Sequence, residues 1–357
     1  MGETEEWGYK RAGVDLEAAD RTIDLITREV SSTYTPAVLK GLGAFGGLFE
    51  LPTGYRRPVL VASTDGVGTK VMLAARLAAA DPLGPAGPQA SAILATIGSD
   101  LVNHCINDIL VQGAKPLFFL DYVASSRLVP EVTAAIVKGV AAACRKAGVA
   151  LLGGETAEMP GVYHDGEFDL AGTIVGIVEH DEIVDGSTVA AGDVLLALPS
   201  NGLQTNGFSL ARAAVGEALA EPVATVAAAE PVGTTIAEAL LAPHQSFLPY
   251  VEPLLARGVV KAMAHITGGG LPGNLPRTLP AGLGARLERG SWDEPAIFAA
   301  LQQRRAISDA EMFEVFNMGI GFVVVVAAER AAEVLADAAG EWRRVGEVTS
   351  ASGVKIS

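Results

Sequence analysis

Short apolar segments rich in β-branched residues alternate with longer, alanine-rich segments of helical period along most of the chain. Arg56–Ser63 (RRPVLVAS) has the pattern of a buried strand, and Gly68–Ala80 follows it with the spacing of an amphipathic helix. A strand that leads into a helix through a short glycine turn is typical of layered α/β structure. The alternation therefore predicts an α/β fold.

The same pattern continues on both sides of a charged, turn-rich segment at 180–192. Further strands are predicted at 116–124, 149–153, 168–179, 193–199, 262–266, 283–287, 321–327 and 344–348. Further helices are predicted at 90–112, 130–148, 208–220, 234–256 and 271–279, between the strand at 283–287 and about residue 314, and at 328–339. We place the domain boundary near residue 180, which predicts domains at 1–180 and 181–357.

Composition narrows the class of protein. The 357 residues suit two domains, and 50% hydrophobic with 19% charged residues is incompatible with a disordered chain. Twenty-six Lys+Arg against 41 Asp+Glu give a net charge of −15, so we expect no nucleic acid as partner. No apolar run approaches the ~20 residues of a spanning helix, and no secretory signal or disulfide framework is visible. We therefore expect no membrane partner and a cytoplasmic location.

The segment Ser63–Lys70 (STDGVGTK) joins the first strand to the first helix. It lacks the spacing of a P-loop, but it combines glycines, a helix start, a cation and a carboxylate. We expect the phosphates of a nucleotide to bind here and Asp65 to hold Mg²⁺. The residues predicted to contact the nucleotide are Thr64, Gly66, Gly68, Thr69 and Lys70. An ordinary strand–turn–helix corner remains the alternative.

A second glycine-rich segment, Gly41–Gly47 (GLGAFGG), matches the dinucleotide-binding pattern G-x-G-x-x-G. That fingerprint needs a helix directly after the loop, and the sequence leaves no room for one. The pattern favours instead a glycine loop whose amides close over phosphates, with an ordinary surface turn as the alternative. The candidate binding residues are Gly41, Gly43, Gly46 and Gly47.

Several carboxylates lie inside or at the ends of apolar elements. Asp108 lies next to the polar face of the helix predicted at 90–112. Asp121 lies in the strand PLFFLDYVA, and Glu155 follows two glycines. Burying a carboxylate is costly unless it is paired or metal-bound. The set suits Mg²⁺ held by Asp65, Asp108 and Glu155 around a nucleotide, although helix caps and salt bridges explain such residues too.

In the second half, His265 begins the segment HITGGG, which places three glycines between a strand and a helix. Such a junction can bind an anion. The polar turn 200–207 (SNGLQTNG) has the same character. His265 is the histidine we consider a candidate for chemistry, whereas His104 is interpreted as a core or interface residue and His244 stays undecided.

Taken together, these motifs resemble the phosphoribosylformylglycinamidine cyclo-ligase (aminoimidazole ribonucleotide synthetase) family over nearly the whole chain. The matching segments are 9–10, 12–15, 41–47, 64–70, 107–114, 116–122, 153–160, 200–207, 265–270 and 316–317. The resemblance implies an α/β (α+β) fold of two domains. The N-terminal domain would bind ATP and contribute strands to a barrel shared in a homodimer, and the C-terminal domain would be a second α/β domain of the same superfamily.

The resemblance also implies an activity and roles for residues. Formylglycinamidine ribonucleotide would be cyclised to aminoimidazole ribonucleotide with ATP and Mg²⁺, and K⁺ is a further candidate cation. Asp65 and Asp108 would hold the metal. The other assignments are catalytic roles for Lys70, Asp108, Glu155 and His265, and substrate contacts for Asn206, Gly268, Gly269, Gly270 and Asn274.

Three segments depart from the family pattern. Ser31–Thr35 replaces residues that are commonly basic, Gln204 replaces a common His, and His244–Gln245 replaces a usual Thr-Arg pair. These departures leave two alternatives open: a small-molecule kinase of the same superfamily, similar to thiamine-monophosphate kinase, and a catalytically silent nucleotide-binding paralogue.

Overall fold

The structure, a computed structural model, describes residues 9, 12–223, 234–337 and 340–357. Within these residues it contains eleven α-helices and twelve strands. The helices are α1 Leu16–Ser31, α2 Lys70–Ala79, α3 Pro88–Leu110, α4 Pro130–Ala147, α5 Phe208–Val215, α6 Ile236–Leu240, α7 Leu248–Ala256, α8 Gly270–Asn274, α9 Ala296–Arg305, α10 Asp309–Val315 and α11 Ala331–Leu335. The strands are β1 Val38–Lys40, β2 Leu48–Phe49, β3 Pro58–Gly66, β4 Lys115–Ser125, β5 Ala150–Glu158, β6 Phe168–Glu179, β7 Val194–Pro199, β8 Val260–His265, β9 Gly284–Leu287, β10 Ile320–Val326, β11 Arg343–Thr349 and β12 Gly353–Ile356.

The predicted alternation of strands and helices is confirmed, with differences in length. The helix predicted at 208–220 ends at Val215, and the one predicted at 234–256 is divided into α6 and α7. The helix predicted at 271–279 is α8 followed by a 3₁₀ turn. The helix predicted at 328–339 includes residues 338–339, which lie outside the described part of the chain. Helix α1 and strands β1, β2 and β12 were not predicted.

The chain forms two compact units. The first unit comprises the described residues up to Gly54, then Ala62–Cys105 and Pro116–Val175. The second unit comprises Tyr55–Val61, Ile106–Lys115 and the described residues from Gly176 to the end. The chain therefore passes between the units several times, the last time after Val175. Domains at 1–180 and 181–357 remain a prediction.

The first unit contains most of a four-stranded sheet with the order β3-β6-β4-β5. Strands β4 and β5 are parallel and are joined through α4, which ends at Gly148 in the left-handed region (φ 68°). Helix α1 packs against α4 and β5. Asp15 caps α1 by accepting hydrogen bonds from the amides of Glu17 and Ala18, and its own amide donates to Glu158 at 2.7 Å.

The second unit is built on a six-stranded sheet with the order β12-β9-β11-β7-β10-β8. Every pairing in it is antiparallel except that of β12 with β9. Strand β10 (IGFVVVV) is buried at every residue, and Val323 lies opposite Ala197 on one side and Ala264 on the other. Its continuous apolar sequence is the one expected for a central strand covered on both faces. No described helix is long and apolar enough to cross a membrane.

Candidate active site

The glycine turn between β3 and α2 lies where the sequence predicted it, in the first unit. Gly68 has a φ of 55°, and a Cβ on Gly66 would lie 3.1 Å from the carbonyl oxygen of Leu170. The hydroxyl of Thr64 is 2.7 Å from that of Thr173 on β6. The amides in the first turn of a helix lack partners within the helix and carry its positive end. This turn can therefore bind a phosphate group.

Asp65 is held from two sides and still reaches the solvent, since 51% of its side chain is exposed. Its Oδ1 accepts the amide hydrogen of Gly66 at 2.7 Å, and its Oδ2 lies 2.9 Å from Nε2 of His104 on α3. His104 is buried, as its interpretation as a core residue suggested, but its contact with Asp65 was not predicted. A fixed, accessible carboxylate beside a turn that can bind a phosphate group is suited to a divalent cation.

Lys70 is fully buried and forms an ion pair with Asp100. Its Nζ lies 2.7 Å from Oδ2 of Asp100, and neither side chain is accessible to solvent. A direct contact of Lys70 with a phosphate would require this pair to open. In the structure Lys70 connects the start of α2 to α3.

The Gly41–Gly47 loop connects β1 to β2, which are antiparallel with Val38 opposite Phe49. The loop leads into a strand rather than a helix, which agrees with the exclusion of the dinucleotide fold. The amide of Leu42 donates to the Tyr34 hydroxyl at 2.6 Å, and a Cβ on Gly41 would overlap that hydroxyl. Phe45 is fully exposed in the middle of the loop.

Asp121 and Glu155 lie on the neighbouring strands β4 and β5. Asp121 is opposite Gly154, where a Cβ would overlap the Asp121 carboxylate, and Glu155 is opposite Tyr122 and exposed. Both acidic residues line a cavity of about 230 Å³ whose other walls include α1 and Leu42. Burial raises the pKa of Asp121 to about 7. Its carboxyl is therefore protonated in a large fraction of molecules at neutral pH.

In the second unit, three segments that are distant in sequence meet the end of α3. We call Thr205, His244, His265, Asn107 and Asp108 the histidine cluster. Nδ1 of His265 lies 2.9 Å from Oδ1 of Asp108, and the Nε2 atoms of His265 and His244 are 3.2 Å apart. Nδ1 of His244 lies 3.1 Å from the hydroxyl of Thr205.

The exposed end of the cluster is Asp108. Its side chain is 24% exposed, against 3% for that of His265. The sequence pointed to Asp108 and His265 and left His244 undecided. The one signal for His244 was its departure from the family pattern. Gln204, which directly precedes Thr205 in the cluster, was the other departure in this region.

The predicted substrate residues of the second unit also come together. Asn206 lies beside the glycines, because a Cβ on Gly268 would be 3.4 Å from its Oδ1. The buried Asn274 donates from Nδ2 to the carbonyl oxygens of Gly268 and Gly270, at 3.2 and 2.8 Å. The side chain of Asn274 therefore stabilises the shape of the glycine segment.

Comparison with known proteins first gives the class. The model of the family described as "AIR synthase related protein, N-terminal domain" matches residues 54–178, and that of the corresponding C-terminal domain matches 190–357. Two solved structures share the fold. Thiamine-monophosphate kinase from Stenotrophomonas maltophilia has a TM-score of 0.63 at 17% identity, covering 94% of this chain and 96% of that one. E. coli HypE has a TM-score of 0.63 at 18% identity, covering 95% and 93%.

More similar relatives then give the family. A phosphoribosylformylglycinamidine cyclo-ligase from Geobacillus kaustophilus is 47% identical over 353 residues, covering 98% of this chain and 97% of the relative. Proteins of the same name from Sorangium cellulosum and Burkholderia mallei are 46% and 49% identical, covering 97% and 95% of this chain and 96% and 92% of their own length. The chain belongs to the phosphoribosylformylglycinamidine cyclo-ligase family.

Proposed function

We propose that this protein cyclises formylglycinamidine ribonucleotide to aminoimidazole ribonucleotide in cytoplasmic de novo purine biosynthesis, converting ATP to ADP and phosphate. The observation that carries the proposal is the identity of 46 to 49% with cyclo-ligases over nearly the full length of both chains. A second support is the turn at Gly66–Thr69, which has the form of a phosphate site and lies next to the accessible Asp65.

The chemistry requires activation of a poor leaving group. The formyl oxygen of the substrate attacks the γ-phosphorus of ATP and gives an iminophosphate, and ADP leaves. An amidine nitrogen then closes the five-membered ring as phosphate departs. Such a reaction depends mainly on positioning the reactants and on neutralising charge, with little covalent help from the protein.

The residues of the first unit suit the binding of ATP. The amides of Gly68 and Thr69 would hold the phosphates, while the Gly66 amide donates to Asp65. The loop Gly41–Gly47 would cover the phosphates, and Glu155 would orient the substrate or a metal ion. Lys70 would stabilise the turn through its ion pair with Asp100, and it would reach a phosphate only if that ion pair opened. The hydrogenase maturation protein HypE, which has a similar fold (TM-score 0.59, 18% identity), has been solved in complex with ATP. This supports the proposal that the present protein uses ATP.

Asp65 and Asp108 are the proposed ligands of Mg²⁺, with K⁺ as a further candidate cation. Both carboxylates are accessible and each has one oxygen within 3 Å of a histidine nitrogen, an arrangement that orients an oxygen ligand. When bound, Mg²⁺ would neutralise charge on the phosphates. Because the chain carries a net charge of −15, local positive charge must overcome an unfavourable overall field for two anionic substrates.

The substrate would bind in the second unit through its ribose phosphate. Gly268, Gly269 and Gly270 would supply amides for the phosphate, with Asn206 beside them and Asn274 stabilising the segment. His265 is buried behind Asp108, so we assign it an orienting role rather than direct contact with the substrate.

A product analysis tests the proposal. Purified protein is incubated with ATP, Mg²⁺ and formylglycinamidine ribonucleotide, and aminoimidazole ribonucleotide, ADP and free phosphate are quantified by mass spectrometry and phosphate release. We expect the three products in equal amounts. Phosphate retained on an organic product would indicate a kinase, and ATP binding without turnover would indicate a silent paralogue.

A further inference from the structure

The buried side chain of Asn317 joins two turns of the second unit. Its Oδ1 accepts hydrogen bonds from the Ser200 hydroxyl at 2.8 Å and from the Gly319 amide at 2.9 Å. Its Nδ2 donates to the carbonyl oxygen of Gly202 at 2.9 Å. Because a backbone amide and a backbone carbonyl are among the partners, the orientation of the Asn317 amide group is defined. Asn317 therefore connects the turn after α10 to the polar turn 200–207.

Both turns contain a residue other than glycine with a left-handed backbone. Gln204 has a φ of 61° and Met318 has a φ of 49°. This conformation costs free energy in a residue that has a Cβ, and it persists only where surrounding contacts maintain it. Met318 is enclosed by the hydrogen bond between Asn317 and the Gly319 amide, and Gly202 is two positions before Gln204. The hydrogen bonds of Asn317 therefore lie close to both strained residues.

The preceding residue, Phe316, lies against both segments that are proposed to contact the substrate. A Cβ on Gly207 would overlap the ring of Phe316, and a Cβ on Gly270 would lie 2.8 Å from the Phe316 carbonyl oxygen. Asn206 directly precedes Gly207, and its Oδ1 would be 3.4 Å from a Cβ on Gly268. The chain segment that carries the Asn317 side chain is therefore packed directly against the proposed phosphate contacts of the second unit.

We propose that Asn317 is a positioning residue: it maintains the turn 200–207 in the shape that places Asn206 beside Gly268, where the ribose phosphate of the substrate would bind. The inference deepens the proposed function and rests on it, since Asn206 and the glycines are proposed contacts of that reaction. Asn317 is 3% exposed, so it acts through the turn. Without its hydrogen bonds the strained turn can adopt other conformations, which weakens the contacts with the substrate phosphate.

The substitution Asn317→Ala removes all three hydrogen bonds of the side chain. We expect KM for formylglycinamidine ribonucleotide to rise at least about tenfold. We expect kcat and KM for ATP to stay within about threefold, because ATP is proposed to bind to residues of the first unit. Ser200→Ala removes only one of the three hydrogen bonds, so we expect a smaller rise in KM, of about threefold. Steady-state kinetics of both variants give these values.

The matched control is Trp292→Phe. Nε1 of the buried Trp292 donates to the carbonyl oxygen of Met318 at 2.9 Å. This variant therefore also loses a buried hydrogen bond of the turn after α10, but it leaves the hydrogen bonds between Asn317 and the turn 200–207 in place. It should be less stable in thermal unfolding, as Asn317→Ala should be, with KM for the ribonucleotide unchanged within about twofold. The control separates a general loss of stability from the positioning role.

Hydrogen exchange of the full-length protein without ligands provides a measurement that needs no activity. We expect the backbone amides of 200–207 and of Gly319 to exchange at least about tenfold faster in Asn317→Ala than in the wild type. In Trp292→Phe we expect the amides of 200–207 to exchange at the wild-type rate. The amides of 58–70 in the first unit serve as an internal reference in every variant.

The outcomes are distinct. An unchanged KM for the ribonucleotide in Asn317→Ala, an equal rise in Trp292→Phe, or unchanged exchange of the amides at 200–207 would overturn the inference. If Asn317→Ala does not fold, Ser200→Ala decides in the same way. A wild type that makes no aminoimidazole ribonucleotide, while Asn317→Ala still accelerates exchange at 200–207, would overturn the proposed function and support the role of Asn317 in maintaining the turn.

Discussion

At the scale of single residues, the surroundings of each carboxylate decide what it can do. Asp65 is half exposed and accepts a backbone hydrogen bond, so its carboxyl group is held at a place a cation can reach. Asp121 has an apolar setting, and burial raises its pKa to about 7. Sequence patterns identified both residues as unusual, but the difference between them depends on burial.

The substitution Asp65→Asn tests the role of the charge. Asn keeps an oxygen that can accept from the Gly66 amide but removes the negative charge, so we expect ATP turnover to fall at least about 100-fold with the fold intact. Phosphate release measures the rate, and circular dichroism with thermal unfolding checks the fold. A variant with a rate near that of the wild type would contradict the metal role.

The substitution Asp121→Asn tests the raised pKa of Asp121 through the pH dependence of the protein's stability. The ordinary pKa of an aspartate is 3.8, and the folded protein binds the proton up to about pH 7. The folded state therefore holds more protons than the unfolded state between these values, and stability falls as the pH rises through this window. Between about pH 5 and pH 8 we expect the free energy of unfolding of the wild type to fall by about 2–3 kcal/mol relative to that of the variant.

Denaturant unfolding at the two pH values measures this difference. Asp24→Asn on the exposed side of α1 serves as the control for removing a carboxylate that lies outside the cavity. If Asp121→Asn shifts the free energy of unfolding equally at both pH values, the raised pKa is wrong.

At the scale of elements, the start of α2 is held by a buried ion pair with α3. Removing one partner from such a pair leaves an uncompensated buried charge, which is more costly than replacing both partners with apolar groups. Lys70→Met is therefore expected to lower the free energy of unfolding by about 3–5 kcal/mol. The double variant Lys70→Met/Asp100→Leu should recover most of that loss. An equally unstable double variant would show that the pair does not account for the effect.

The β1–β2 hairpin offers a matched pair of glycine substitutions. A Cβ on Gly41 would overlap the Tyr34 hydroxyl, whereas a Cβ on Gly46 would meet nothing within 4 Å. Because the Tyr34 hydroxyl also binds the amide of Leu42, Gly41→Ala should displace the loop and raise KM for ATP about tenfold. Gly46→Ala should raise KM less than Gly41→Ala does, because its Cβ displaces no neighbouring atom. Steady-state kinetics of both variants test the proposed cover, and equal KM values would argue against it.

At the scale of the whole molecule, the resemblance implies a homodimer, and one strand has features suited to an interface. Strand β3 is at the edge of its sheet, and Leu60 on it is 55% exposed. Apolar residues exposed on an edge strand are commonly covered by another chain. We expect light scattering to give twice the chain mass of 36.7 kDa and Leu60→Glu to shift the protein towards monomer. A monomeric wild type at micromolar concentration would contradict this.

The amino-acid sequence by itself determined the local features: the strand–turn–helix at 58–79, the glycine loop and the central strand β10. It also contained a signal for α1 that was overlooked, the cap at Asp15 followed by buried residues at Thr22, Ile26 and Val30. These features depend on neighbours within a few residues, so periodicity and capping are enough to find them.

Only the tertiary structure decided which side chains meet. Lys70 is 30 positions from Asp100, and the histidine cluster joins Asn107 to residues near 205, 244 and 265. No periodic pattern encodes such contacts, because they depend on how elements remote in the chain pack together. The same packing sets burial, and with it the pKa of Asp121.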